Sequence, residues 1–181
     1  RNNYLHRRLY YRVRKLKILN YNQYYDYLVR NPNELLEFQN DLTIHVTTFF
    51  RDVTPFRYLE KKIIPKIIKT KKQSDNRTIK ILSAPCSTGE EPYSIAIIIN
   101  YLKENKNISN LFKIYATDIE ERVLKFAKNG VYNLNQLKNI SPQAIRKNFI
   151  PIDENTYQVK SVIKNYVNFF RHDLLTPLQI S

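Results

Sequence analysis

The chain has 181 residues, with 30 Lys+Arg against 16 Asp+Glu, a formal charge of +14, 43% hydrophobic residues and a mean hydropathy of −0.51. That balance excludes a mainly disordered chain and fits one domain with a small appendage. The longest apolar run, Ile95–Ile99, is far short of the roughly 20 residues of a membrane span, and no apolar h-region follows the basic N-terminus, so neither a span nor a signal peptide is expected.

The first predicted element lies in RNNYLHRRLYYRVRKLK. Leu9, Val13 and Leu16 recur at helical spacing, and Arg8, Arg12 and Lys15 form the neighbouring stripe, so an amphipathic helix over about Tyr4–Leu16 should bury one face and present a cationic one. With +14 overall, polyanions or acidic protein surfaces are the natural partners. Tyr4, Tyr10 and Tyr11 fit either base stacking or ordinary half-buried helix positions. Helices follow at about Tyr21–Val29, from Asn31-Pro32 through LLEFQNDL, and at about Pro55–Ile68. The polar KTKKQSDNR then reads as a linker.

Beyond it the period changes. TIKILSA has the β-branched character of a buried strand, EPYSIAIIINYLKEN reads as a helix with Pro92 in its first turn, FKIYATD is a second strand ending at Asp118, and IEERVLKFAKNG is a helix stopped at Asn129-Gly130. Strand, helix, strand, helix opens a parallel α/β sheet. A short helix after Pro142 and strands at about Thr156–Val159 and Val167–Arg171 complete the reading. The expected organisation is a helical domain over 1–70, a linker over 71–77, and an α/β domain over 78–181. Two or three strands make a small doubly wound sheet. Together with the start at Arg1 rather than methionine, this suggests an excised piece that is incomplete at its C-terminal end.

In such a sheet the ligand crevice lies at the carboxyl ends of the strands, here APCSTGEEPYS and ATDIEE. The small residues of the first loop, Gly89 among them, permit close backbone approach. Asp118 at the second strand tip is placed to accept ribose hydroxyls, which implies a nucleoside-containing cofactor. The loop matches neither G-x-G-x-x-G nor a Walker A, and Glu90 and Glu91 stand where a pyrophosphate would sit. A cationic ligand such as S-adenosylmethionine suits them better, although both could equally be N-terminal helix-dipole carboxylates. Phe49 and Phe50 read as core. Cys86, the single cysteine, reads as a buried filler and points to a reducing, cytoplasmic setting. His6, His45 and His172 lack metal-ligand spacing, so no metal site is expected.

Four motifs occur in order: RRLYYRVRKL then YDYL; TIHVTTFFRDVTPFRYLEKKIIP; SAPCSTGEEPYSIA; and ATDIEERVLKFAKNGVY. Through them the chain resembles the CheR-type chemotaxis receptor methyltransferases nearly end to end. The resemblance implies an α/β fold: an all-helical N-terminal domain for receptor recognition, then a partial Rossmann-like S-adenosylmethionine methyltransferase domain with an inserted antiparallel β subdomain at about 130–170. It implies a protein-glutamate O-methyltransferase that modifies glutamates on the helical cytoplasmic bundle of chemoreceptors, with no membrane insertion and a monomeric state. By the same resemblance His45, Thr47, Arg51, Gly89, Glu91, Asp118, Asp173 and Leu174 are cofactor-side residues. Arg51 orients the methyl donor or acceptor as the catalytic candidate, and Arg8, Arg12 and Lys15 meet the receptor. His45 and Asp173 each stand where the family usually has asparagine. The family's next motif, a C-R-N-V-x-I-Y-F-like strand closing the pocket, lies beyond Ser181, so the 181-residue chain alone is expected to have little activity. FIPIDENTYQVKSV lacks the glycine-rich turn of members that dock a receptor tether, so no tether is expected. The competing readings are a nucleic-acid methyltransferase and a non-catalytic S-adenosylmethionine-binding module.

Overall fold

The structure is a computed structural model that describes residues 2–42, 47–71, 77–106 and 108–178. The chain divides into two compact units, Arg1–Val46 and Thr47–Ser181. Residues 47–70, grouped by sequence with the helical domain, pack in the second unit because Phe49, Ile64 and Ile68 join its core.

The first unit holds α1 (Asn2–Lys15), α2 (Tyr21–Arg30) and α3 (Pro32–Leu42). Asn20 opens α2 by accepting the Gln23 N–H, satisfying one of the donors a helix start leaves unpaired. Pro32 stands at the first position of α3, where its missing N–H costs nothing. Tyr24 is fully buried and meets Phe38 edge to face at 5.9 Å. Arg12, expected on the exposed stripe, is only 3% exposed. Its Nε and Nη2 donate to the Glu34 carboxylate at 2.9 and 2.5 Å, and Nη1 donates to Asp41 at 2.9 Å. Helical spacing groups Arg12 with Arg8 and Lys15 on a presented stripe, but α3 brings two carboxylates against it, so Arg12 is a structural cation and not a surface one. The Tyr24 hydroxyl also donates to Glu34, at 2.8 Å. Among the cations of α1, Arg7, Arg14 and Lys15 are exposed, and Arg8 is half-buried over the Tyr4 ring.

The second unit begins with α4 (Val53–Tyr58), a π-helical turn at Leu59–Ile63, and α5 (Ile64–Lys71). The predicted single helix is thus interrupted, and Pro65 supplies the reason: it cannot donate to the preceding turn and its ring crowds that turn's carbonyls, so the backbone widens just before it. Then come β1 (Thr78–Ser83), α6 (Glu90–Lys106), β2 (Leu111–Asp118) and α7 (Glu121–Asn129). α7 stops at Gly130 in the left-handed conformation, φ 64°. The parallel sheet has the order β1-β2-β6, with β6 at Val167–Arg171 and Asp118 in register with Arg171. Ile95, Ile97, Ile98, Ile99 and Leu102 of α6 form its core with Ile79, Phe112 and Ile114.

Between α7 and β6 lies the expected antiparallel subdomain, ordered β3-β5-β4 (Val131–Asn133, Thr156–Val159 and Phe149–Pro151), with α8 (Pro142–Asn148) and α9 (Ser161–Lys164) beside these strands in sequence. Pro151 is tolerated because β4 is an edge strand. The β4–β5 turn closes without glycine: the Ile152 N–H reaches the Thr156 carbonyl, and the Asp153 carboxylate accepts the Asn155 N–H. No helix among the described residues is long and apolar enough to cross a membrane.

Candidate functional site

Parallel pairing brings the carboxyl ends of β1, β2 and β6 to one edge, and the segments leaving them are tied together there. The Asp118 carboxylate, 7% exposed, accepts the Ser87 N–H at 2.8 Å through Oδ2 and the Glu120 N–H at 3.1 Å through Oδ1. Its carbonyl accepts the His172 N–H at 3.0 Å, and the Thr117 carbonyl accepts the Cys86 N–H at 2.8 Å. Asp118 is therefore the fastener of the loop after β1, a role the sequence did not reveal because its partners are backbone groups. Each carboxylate oxygen still has lone-pair capacity for another donor.

Glu91, at the start of α6, is exposed, and its Oε1 accepts the Ser83 hydroxyl at 2.6 Å. Glu90, its neighbour, is 0% exposed. The two adjacent acids thus divide between surface and interior, which a helix start produces by pointing successive residues about 100° apart. Gly89 takes φ +95°, and a Cβ there would stand 2.8 Å from Ala127 Cβ and 2.9 Å from the Tyr132 hydroxyl. Packing against α7 and β3 accounts for this glycine without any ligand approaching it.

Asp173 and Leu174 follow β6 after His172. The Asp173 carboxylate accepts the Leu175 N–H at 2.9 Å, closing a turn that leaves Leu174 57% exposed. On the N-terminal side Thr47 is half-buried and Arg51 is exposed, just after a turn in which Phe50 adopts φ 49°. The Phe50 N–H donates to Ser94 of α6 at 3.0 Å, and Ser94 donates to the Glu90 carbonyl at 2.6 Å. The Arg51 turn and the loop after β1 are therefore anchored to the same helix start. His45 lies outside the described residues. Phe49 is fully buried between Tyr132 and Phe149, as core.

Cys86 is buried, and burial together with the charge of Asp118 pushes its thiol up to about 12. It is protonated at neutral pH and is no nucleophile. Burial likewise raises the phenols of Tyr93 and Tyr132, and their hydroxyls donate to the Ala127 and Thr88 carbonyls. Among the described residues no group of three His, Cys, Asp or Glu side chains could hold a metal ion.

Residues 45–181 match the family described as CheR methyltransferase, SAM binding domain, and residues 1–43 match its all-alpha domain. A chemotaxis protein methyltransferase of Listeria innocua is 34% identical over 94% of this chain and 62% of its own length. Those of Borreliella burgdorferi and Salmonella typhimurium are 32% and 33% identical over 86% and 94% of this chain, and 56% and 57% of their own lengths. The chain thus spans between 56% and 62% of these relatives. With one family matched across nearly all of its residues, in the order helical domain then cofactor domain, the chain belongs to the CheR methyltransferase family.

Proposed function

We propose that the chain carries the cofactor site and the receptor-facing helices of a cytoplasmic protein-glutamate O-methyltransferase acting in chemotaxis, with S-adenosylmethionine as methyl donor and chemoreceptor helices as substrate. The observation that supports this most is the carboxyl edge of the sheet, where Asp118 holds the loop after β1, Glu91 follows that loop and the Asp173-Leu174 turn follows β6. The donor set there suits the cofactor. The Asp118 carboxylate has remaining lone pairs for ribose hydroxyls, exposed Glu91 offers a negative charge to an ammonium or sulfonium, and exposed Leu174 offers an apolar face to a base.

Bound S-adenosylmethionine would supply an electrophilic methyl group on a sulfonium. An acceptor glutamate has an ordinary value near 4.3 and is already ionised at pH 7, so the chain need supply no general base. Its residues contribute by orienting the reactants and excluding water. Arg51, exposed and just beyond the anchored Phe49-Phe50 turn, is the candidate for fixing a carboxylate by paired N–H donors. Thr47 joins it on the cofactor side, and Gly89 serves the site by packing. On α1, with Arg12 withdrawn into its ion pairs, the receptor-facing cations are Arg7, Arg14 and Lys15, with half-buried Arg8 beside them.

The test is calorimetric titration of the chain with S-adenosylmethionine and S-adenosylhomocysteine, followed by transfer of labelled methyl to receptor cytoplasmic fragments or to RNA. Saturable cofactor binding with label on receptor glutamate is the expected result. Label on RNA instead would replace this reading, and no binding at all would end it.

A further inference from the structure

Outside the cofactor edge, Gln136 in the inserted subdomain occupies an unusual crossing of hydrogen bonds. Its carboxamide Nε2 donates to Glu90 Oε1 at 2.7 Å, and its Oε1 accepts the Asn133 N–H at 3.0 Å. Its backbone carbonyl accepts the Phe49 N–H at 3.0 Å. Glu90 is fully buried, and its other oxygen accepts the Thr88 hydroxyl at 2.6 Å within the loop after β1. Three residues further on, the Asn139 carboxamide donates to the Phe49 and Phe50 carbonyls at 3.2 and 3.3 Å. One turn of the subdomain therefore grips the cofactor loop through its side chain and the Arg51 turn through its backbone.

The Arg51 turn needs such a grip. Phe50 sits in left-handed backbone, which a residue with a Cβ holds only when its surroundings over-determine it. The bonds to Gln136, Asn139 and Ser94 do so from two sides, and Ser94 returns to the carbonyl of the same Glu90 that Gln136 holds. The circuit runs Phe49, Gln136, Glu90, Ser94, Phe50. A shift at Thr88 or at the start of α6 would displace Glu90, and Gln136 would carry that displacement to Phe49, two residues before Arg51.

We propose that Gln136 is a positioning residue that couples the cofactor loop to Arg51, so that the inserted subdomain is part of the reaction site as well as an appendage of the sheet. This role presupposes the methyl-transfer reading of Arg51. The carboxamide suits it chemically: one end must donate to a carboxylate and the other must accept from a backbone N–H. Methionine can do neither, and a carboxylate would face Glu90 with like charge.

The experiment is residue-resolved amide exchange on the full chain, with and without S-adenosylhomocysteine, for wild type, Gln136→Met and Gln136→Glu. In the ligand-free chain, Gln136→Met should lower protection of the Phe49 and Phe50 amides by roughly tenfold while Ser87, bonded to Asp118, stays within about twofold. The product should slow exchange at Ser87 and Phe50 together in wild type, but at Ser87 alone in Gln136→Met. Gln136→Glu should lower Phe50 protection at high pH, where like charge faces Glu90, and regain it as pH falls and one proton bridges the two carboxyl groups. Equal Phe50 protection in wild type and Gln136→Met, or equal losses at Ser87 and Phe50, overturns the coupling. Absence of any product effect in wild type counts against the cofactor reading instead, and the ligand-free comparison still decides the role of Gln136.

Discussion

Asp118 accepts two backbone N–H groups, Ser87 in the loop after β1 and Glu120 in the segment after its own strand, so its replacement acts twice, on these loops and on any ligand hydroxyl that shares the carboxylate. Asp118→Asn leaves one acceptor oxygen for at least two donors. On the proposed reading, cofactor affinity measured by calorimetry should fall about tenfold or more, because each charge-assisted bond contributes roughly 1.5–3 kcal/mol. Unchanged affinity in a folded Asp118→Asn chain would remove Asp118 from the site. Cys86 gives a pH test. Its folded value, about 12, lies above the usual thiol value of about 8.5, so the folded chain keeps a proton that the unfolded chain loses. This contribution is fully present below about pH 8.5 and declines as pH rises toward the folded value. Between about pH 8.5 and 9.5, below the tyrosine range, Cys86→Ala should therefore flatten the loss of the urea midpoint; parallel curves for the two proteins would exclude the thiol as the cause. Arg12 and Arg14, two residues apart on α1, should part company. Arg12→Met strands buried Glu34 and should cost about 3–5 kcal/mol in unfolding of the full chain. Exposed Arg14→Ala should stay within about 0.5 kcal/mol. Similar losses from both would mean that the Arg12 pairs contribute nothing special.

The two described glycines mark how elements meet, and they should respond differently to an added methyl group. At Gly130 the Cβ would touch the end of a flexible lysine, Lys164 Cε at 2.8 Å, so Gly130→Ala costs mainly the left-handed backbone, about 1–2 kcal/mol. At Gly89 the same backbone cost applies, and the Cβ meets Ala127 Cβ at 2.8 Å, which cannot move without shifting α7. Overpacking adds about 1–3 kcal/mol, so Gly89→Ala should lower the melting temperature clearly further than Gly130→Ala; the reverse order would contradict the packing of α6 against α7. Elements of this length were legible from periodicity. The helices of the first unit, the alternation of β1 through α7, and the ends of β5 and β6 all follow from apolar spacing and from Asn, Pro and Gly at the boundaries. Two strands, β3 and β4, were not, because three residues cannot display a two-residue period and Pro151 argues against a strand. The site divided in the same way. Asp118 could be named from its place at a strand tip, and Glu91 and Arg51 from the motifs that resemble the family, whereas the Ser87–Asp118 bond and the 46-residue reach from Glu90 to Gln136 exist only after folding.

Across the whole molecule the charges are unevenly engaged. Glu34 and Asp41 are spent on buried Arg12, and Glu90 is sealed inside, so acidic groups are withdrawn from a chain already at +14 while Arg7, Arg14 and Lys15 remain in solvent. Such a field accelerates encounters with an acidic surface more than it tightens the final complex. On the proposed reading, the association rate with a receptor cytoplasmic fragment should fall steeply as salt rises from about 50 to 300 mM, where the screening length drops from about 14 to under 6 Å. Dissociation and cofactor affinity should change little. Reversing Arg7 and Arg14 to Glu together should lower the association rate and its salt dependence, whereas a pair of lysines reversed on the second unit, Lys113 and Lys125, should reduce the rate less. The discriminating arm is duplex RNA offered at equal concentration. A receptor rate indifferent to salt and to the α1 reversals, beside RNA binding that responds to both, would move the cationic helix from receptor recognition to nucleic acid and leave the Asp118 edge without a protein substrate.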